Sequence, residues 1–388
     1  MKKLVYLTSA RIPDEWAHVV QILTMCDAFA DAGAEVMLVA PRRARTQSTD
    51  PYVFAGIPHS FQICKLPCLD LFAGTTSRVL FWVRAISFLL FALPFLILKR
   101  RPFVYTREPL LACAALSIGC RVWWEAHTAD TNIFATYAGR GVEKVVCISQ
   151  GLKDFYSQRG VSADRLMIEN DAVSLESFEG LRTKHELRDQ YSLPQNAQII
   201  AYVGKYKPMG HSKGVEEVIE SVANIAKTNP EVFLLLVGLY PEEIAEVTTH
   251  IESRGLPQER YKLVTHVPKP EVPNYLRTAD ILVMSYPNTP YAAHMMSPLK
   301  MYEYMASGVP IVSSDLPTIR EALNKENAYL VAPDSVPALM DGIAHVLRDP
   351  AYGARIALQA HTDVQTHTWK VRAARILQAA SIITGTSI

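Results

Sequence analysis

The chain has 388 residues, which is long for one ordinary domain and suits two of about 180 residues each. Apolar residues make up 49% and charged residues 20%, a globular balance with material for two cores. Basic residues number 39 against 38 acidic ones, so no global field draws in nucleic acid. The cysteines Cys26, Cys64, Cys68, Cys113, Cys120 and Cys147 are scattered, without C-x-x-C spacing, and lie mostly within apolar runs. They read as reduced core thiols of a cytoplasmic protein rather than as a metal site. The opening MKKLVYLTSA has two lysines before a short apolar run, which suits a buried strand and not a secretory signal.

Leu4 to Leu7 is the first expected strand. A loop follows to Trp16, then an amphipathic helix from about Ala17 to Ala32 ending at Gly33. Glu35 to Ala40 is the second strand, expected to stop at Pro41. This is a βαβ unit, which implies a parallel sheet covered by helices. The first turn has no G-x-G-x-x-G, so a dinucleotide redox site lacks its usual support. Arg11, Asp14, Glu15 and His18 crowd that turn, either lining a ligand crevice or lying in a solvated loop.

Val79 to Leu98, VLFWVRAISFLLFALPFLIL, is the most apolar stretch, and Lys99-Arg100-Arg101 follows it. Its length could span a bilayer, yet Arg84, Ser87 and Pro94 interrupt it. Three readings stay open: an interfacial helix touching the membrane surface, a plain core helix, or a transmembrane span. In the first, each basic residue adds about 1 kcal/mol near anionic headgroups. Further strands run into Thr106-Arg107-Glu108 and into the segment from Glu125 through His127 to Asp130. Arg107, His127 and Asp130 thus fall just past strand ends, where ligand-facing residues gather, although a lone histidine there can be purely structural.

A polar segment from Glu169 to Gly180 reads as a linker. Ile199 to Val203 then opens a second α/β series with the loop GKYKPMGHSKG, Gly204 to Gly214. Its lysines, Lys205, Lys207 and Lys213, could meet phosphate, or the loop could be a solvated basic one. It lacks the Walker A spacing. Strands and helices alternate from there, and a last helical segment opens at Trp369.

In the stretch Tyr286 to Glu321, Ser297 is an N-cap residue type, Pro298 suits the first helical position and Gly308 falls just past the end. A helix opened this way offers the backbone N–H groups of Leu299 and Lys300 to an anion. Leu299, Tyr302 and Ala306 share one face, and Glu303 sits at its edge. A half-buried carboxylate there needs a partner, and two adjacent ribose hydroxyls would serve, as would a nearby cation.

The segment SPLKMYEYMASGVPIVSSDLPTIRE, Ser297 to Glu321, resembles the donor-site signature of glycosyltransferase family 4. Lys213-Gly214, Val267 to Val283, Arg11 to Gln21 and Trp369-Lys370-Val371-Arg372 are similar to other parts of that family's pattern. The likeness covers nearly the whole chain. It implies an α/β protein of GT-B fold, two Rossmann-like domains facing across a cleft. Residues 1–172, with a terminal helix of about 369–388 packing back, would be the acceptor side. Residues 173–368 would bind the donor.

The resemblance implies roles residue by residue. Glu303 would bind the ribose of the donor nucleotide, Lys205 and Lys213 its diphosphate, and Ser297, Pro298, Leu299 and Lys300 the phosphate or sugar. His266 and Val267 would also line the donor site. His127 would lie near the reacting sugar, with Arg11, His18, Arg107 and Asp130 on the acceptor side. Met295 stands where the family's first motif glutamate holds donor-sugar hydroxyls. Ser9-Ala10-Arg11 replaces the family's first-turn glycines.

The family likeness also implies a retaining transferase that needs no cofactor and no metal, in accord with the absence of a D-x-D motif. Its co-substrate would be a nucleoside-diphosphate sugar, of UDP or GDP. The acceptor would be a saccharide or lipid-linked saccharide in cell-surface polysaccharide or glycolipid biosynthesis. The enzyme would be cytoplasmic, and in the interfacial reading of Val79 to Arg101 that stretch would make it peripheral on the inner face of the membrane. A nucleotide-sugar epimerase of the same fold, or a non-catalytic partner of a transferase, remains the alternative.

Overall fold

The structure is a computed structural model and describes residues 3–14, 16–42, 49–70, 78–207 and 213–381. Glu15 of the first turn, residues 208–212 of the Gly204–Gly214 loop and the last seven residues of the expected terminal helix lie outside these. The chain divides into two units, one of Met1–Asn170 with Trp369–Ile388, the other of Asp171–Thr368.

The first unit holds seven parallel strands: β1 (Lys3–Leu7), β2 (Glu35–Arg42), β3 (Gln62–Pro67), β4 (Phe103–Thr106), β5 (Val122–Ala126), β6 (Lys144–Cys147) and β7 (Leu166–Ile168). Between them lie α1 (Ala17–Asp31), α2 (Pro51–Ala55), α3 (Arg78–Leu98), α4 (Pro109–Ser117), α5 (Ile133–Gly141) and α6 (Gln150–Gln158). The strand order is β3-β2-β1-β4-β5-β6-β7, so it reverses between β1 and β4. In open parallel sheets that reversal opens a crevice at the strands' carboxyl ends. Pro41 does not stop β2. It pairs with Leu66 of β3, because proline's fixed φ suits an extended strand and removes only one donor.

The second unit has six parallel strands: β8 (Gln198–Val203), β9 (Val232–Leu239), β10 (Tyr261–Thr265), β11 (Ile281–Met284), β12 (Ile311–Ser314) and β13 (Tyr329–Val331). Its helices are α7 (Lys184–Gln190), α8 (Val215–Ala226), α9 (Ile244–Ser253), α10 (Val272–Thr278), α11 (Pro290–His294), α12 (Leu299–Ser307), α13 (Val336–Arg348) and α14 (Pro350–Asp363). The order β10-β9-β8-β11-β12-β13 reverses between β8 and β11. Alternate residues of the central strands feed two cores. Ile199, Ala201 and Val203 of β8 pack on one face, Ile200 and Tyr202 on the other. Strands covered on both faces need such unbroken apolar runs. The last helix, α15 (Trp369–Ala379), belongs to the first unit, where Arg372, Ala373, Ile376 and Leu377 are buried.

All six cysteines are free thiols. Cys26, Cys120 and Cys147 are buried, but Cys64, Cys68 and Cys113 are only half-buried, so the reading of all six as core thiols is half right. The difference follows from position: Cys64 sits on the edge strand β3, which lacks a neighbour on one side.

Candidate functional site

In the second unit, the loop after β8 and the segment after β11 meet at the strand reversal. Gly214, in the left-handed region at φ +76°, caps α8, and its carbonyl accepts a hydrogen bond from the Ser285 hydroxyl just past β11. A Cβ at Gly214 would stand 1.5 Å from the Ser285 carbonyl oxygen, so only glycine fits. This close approach fixes Lys213 beside the carboxyl ends of the strands.

Three lysines gather there. Lys205 hydrogen-bonds the Tyr240 hydroxyl at 2.6 Å. Burial, and then the charge of Lys205, push the Lys213 ammonium down to about 8. Lys300, in the first turn of α12, is only 8% exposed, and its Nζ has no hydrogen-bond partner among the described residues. That nitrogen lies over the Tyr202 ring at 3.9 Å and the Tyr286 ring at 4.8 Å. Burial first, and Lys213 second, hold it well below the usual lysine range. Lys213 and Lys300, depressed first by burial and then by a neighbouring cation, mark a site short of negative charge. Lys207 does not join them. It pairs with Glu216 at 2.9 Å and Glu246 at 2.6 Å, and these hydrogen bonds raise its pKa.

The start of α12 differs from the sequence-based expectation. Pro298 occupies the N-cap position and makes no side-chain cap. The Ser297 hydroxyl instead accepts a hydrogen bond from the Asp171 backbone N–H at 2.9 Å, because both are buried and each needs a partner. Gly308 ends the helix in the left-handed region, φ +70°, as its type suggests. The helix is buried nearly all round, not on one stripe. Glu303 is an exception, a half-buried carboxylate ion-paired with Lys269. Leu299 is half-buried as well, and Met295 closes the short helix α11. His266 is exposed just past β10, beside the half-buried Val267.

In the first unit, the loop after β1 is held by Glu108, whose carboxylate accepts from the Thr8 hydroxyl at 2.9 Å and the Ser9 backbone N–H at 2.7 Å. A built-in carboxylate thus takes the N–H that a bound anion would otherwise use. Arg11 turns to Asp70 at 3.8 Å, which also pairs with Arg84 at 3.9 Å. His18 lies exposed on α1. Asp130 accepts from the Thr128 hydroxyl at 2.9 Å, and the Tyr156 hydroxyl, donating to the Thr128 carbonyl at 2.7 Å, pins that turn.

His127 and Arg107 do come together, in a buried polar group that includes residues to which the sequence pattern assigns no role. His127 Nε2 lies 2.5 Å from Glu125 Oε1. The Tyr105 hydroxyl donates to Glu125 Oε2, which also sits 3.0 Å from Arg372 Nη2. Burial would raise the Glu125 carboxyl, but Arg372, His127 and Arg107 outweigh it and hold the group well below the usual carboxylate range. Burial, and then the Arg107 charge, push His127 down to about 4. The imidazole is therefore neutral near pH 7. With Glu125 ionised, Nε2 carries the ring proton and Nδ1 keeps a lone pair. The signal available in the sequence was a carboxylate inside the apolar strand VWWEA, which cannot stay unpaired. Its partner, Arg372, was beyond the reach of local pattern.

Residues 197–349 match the family described as glycosyl transferases group 1. A Bacillus subtilis (strain 168) glycosyltransferase assigned to teichuronic acid biosynthesis is 24% identical over 252 residues. That alignment covers 62% of this chain and 58% of the relative, so the chain spans little more than half of the relative's length. A phosphatidyl-myo-inositol mannosyltransferase of Mycolicibacterium smegmatis is 22% identical over 388 residues, 95% of this chain and 90% of the relative. Among solved structures, sucrose-phosphate synthase from Thermosynechococcus elongatus matches with a TM-score of 0.77 at 18% identity, covering 98% of this chain and 99% of that one. The shared fold is GT-B, built of two Rossmann-like domains.

Proposed function

We propose that the chain is a group 1 glycosyltransferase, moving a sugar from a nucleoside-diphosphate sugar to an acceptor hydroxyl; the family match over residues 197–349 and the similarity to two glycosyltransferases support this. The observation that carries this is the group of Lys205, Lys213 and Lys300 at the strand reversal, with Glu303 on the same helix as Lys300. A diphosphate brings the negative charge the lysines lack. Glu303 offers a carboxylate to ribose hydroxyls in exchange for Lys269.

In the reaction, the bond from the anomeric carbon to the diphosphate oxygen breaks and the acceptor oxygen bonds to the same carbon with retention. The acceptor's proton leaves with the diphosphate. Charge grows on the leaving group, and Lys205, Lys213 and the first turn of α12 stabilise it electrostatically, in the role a metal ion plays elsewhere. His127, neutral at pH 7, acts near the reacting sugar, and Arg107 serves the acceptor side. UDP or GDP is the nucleotide, and the acceptor is a saccharide or lipid-linked saccharide of polysaccharide or glycolipid biosynthesis in the cytoplasm.

Thermal shifts with UDP-, GDP- and ADP-sugars on wild type and Glu303→Ala test the assignment. A ligand at about 100 times its Kd stabilises by about 2.7 kcal/mol. One nucleotide class is expected to stabilise wild type and not the variant. If none shifts wild type, the absence of the first motif glutamate at Met295 gains weight, and a non-catalytic partner of a transferase becomes the better reading.

A further inference from the structure

We propose that α3 and the basic turn after it form a docking surface for an anionic lipid bilayer. The proposal goes beyond the transfer reaction and rests on this surface alone. Ala85, Phe88, Ala92 and Leu96 recur at helical spacing and are buried, so one face of α3 belongs to the core of its unit. The opposite face is equally apolar but open: Ile86 is 54% exposed, Leu90 67% and Leu98 81%. Only 28% of Leu80–Leu98 is buried, which decides against a plain core helix. A transmembrane span would in turn pull Phe88 and Leu96 out of the core, so the helix lies flat on the unit. The Leu69 N–H bond to Ser87 Oγ, 2.9 Å, ties it there. The ring of Trp82 meets Phe134 at 5.6 Å and carries the apolar surface onto α5, where Ile133 and Tyr137 are exposed.

The end of α3 supplies the second observation. The Arg100 N–H bonds the Ile97 carbonyl and the Arg101 N–H bonds the Leu96 carbonyl, each at 2.9 Å, the pairing of a helix end that glycine normally completes. Here Arg100 and Arg101 take the left-handed region, φ +62° and +55°. The chain holds two charged side chains at backbone angles where glycine would be relaxed. Lys99, Arg100 and Arg101 are all exposed, and none enters an ion pair among the described residues. An apolar face with aromatic residues and a cationic end matches acyl chains beneath anionic headgroups.

The test is co-sedimentation of the full chain with vesicles of phosphatidylcholine alone or with about 30% phosphatidylglycerol, at low and high salt. The expected result is binding to the anionic vesicles, weakened by salt, and lost in Leu90→Glu. Arg100→Gly combined with Arg101→Gly should lower binding about 25-fold, about five-fold per charge. The same pair of substitutions should leave the melting temperature unchanged or raised, because glycine is at ease at both positions. It therefore decides the matter even if Leu90→Glu fails to fold. Equal binding to neutral and anionic vesicles, or binding to neither, overturns the proposal. So does a concentration-dependent dimer that Leu90→Glu breaks while vesicles never bind, which would assign the face to a second copy of the chain.

Discussion

Arg372, on the last helix of the chain, ion-pairs at 3.0 Å with Glu125 on a central strand of the first unit, both side chains 1% exposed. The same guanidinium donates to the Asn170 carbonyl at 2.8 Å and the Glu169 carbonyl at 3.1 Å, the last residues before the chain leaves that unit. Glu125 in turn holds His127. A terminal helix thus sets the position of a histidine at the far end of a strand.

Removing one member of such a pair leaves the other charge buried alone. Arg372→Met should destabilise by about 3–5 kcal/mol in urea unfolding. Arg372→Met with Glu125→Gln should recover part of that loss, because no uncompensated charge remains. An additive double variant would show that the two residues are not coupled.

The neutral state of His127 makes stability depend on pH. In an unfolded chain the imidazole takes a proton near 6.5, in the fold near 4. Between those values the unfolded state holds the extra proton, so stability rises with pH and is lost as pH falls through the window. Over the window the effect is about 3 kcal/mol. Glu125, its folded pKa depressed, extends the loss below about pH 4.3. Unfolding measured from pH 4 to 7 should show this slope in wild type and a flatter one in His127→Asn.

Lys300 buries an amine with no hydrogen-bond partner among the described residues, which costs stability in the absence of an anion. Lys300→Met should raise the melting temperature and weaken nucleotide binding together, a separation that a merely structural lysine would not give. The depressed Lys213 and Lys300 should also regain protons when a diphosphate binds. Calorimetry near pH 8.5 in buffers of different ionisation enthalpy should therefore register net proton uptake, and none in a variant lacking both lysines.

Gly214→Ala places a methyl group against the Ser285 carbonyl and strains a left-handed residue. The expected cost exceeds the roughly 1 kcal/mol of the backbone term alone. Nucleotide binding should weaken more than stability does, since Lys213 is displaced with its neighbour. Fluorescence titration and chemical unfolding of the same variant would measure both.

Local pattern determined much of this protein. Alternation of short apolar runs with helical periodicity gave two parallel sheets, Gly308 marked the end of α12, and the length of the apolar stretch marked α3, because each depends only on neighbouring residues and backbone sterics. The strand reversal beside Lys213 came from strand order, which a sequence suggests only through the βαβ rule, whereas His127 simply follows the end of β5. The partners of buried and half-buried polar groups were decided by tertiary structure alone. Ser297 serves Asp171 rather than its own helix, Lys207 turns to two glutamates, Glu303 meets Lys269, and Glu125 meets Arg372. A buried donor or acceptor must be satisfied, but which group satisfies it depends on what the fold brings near, and no periodicity along the chain encodes that distance.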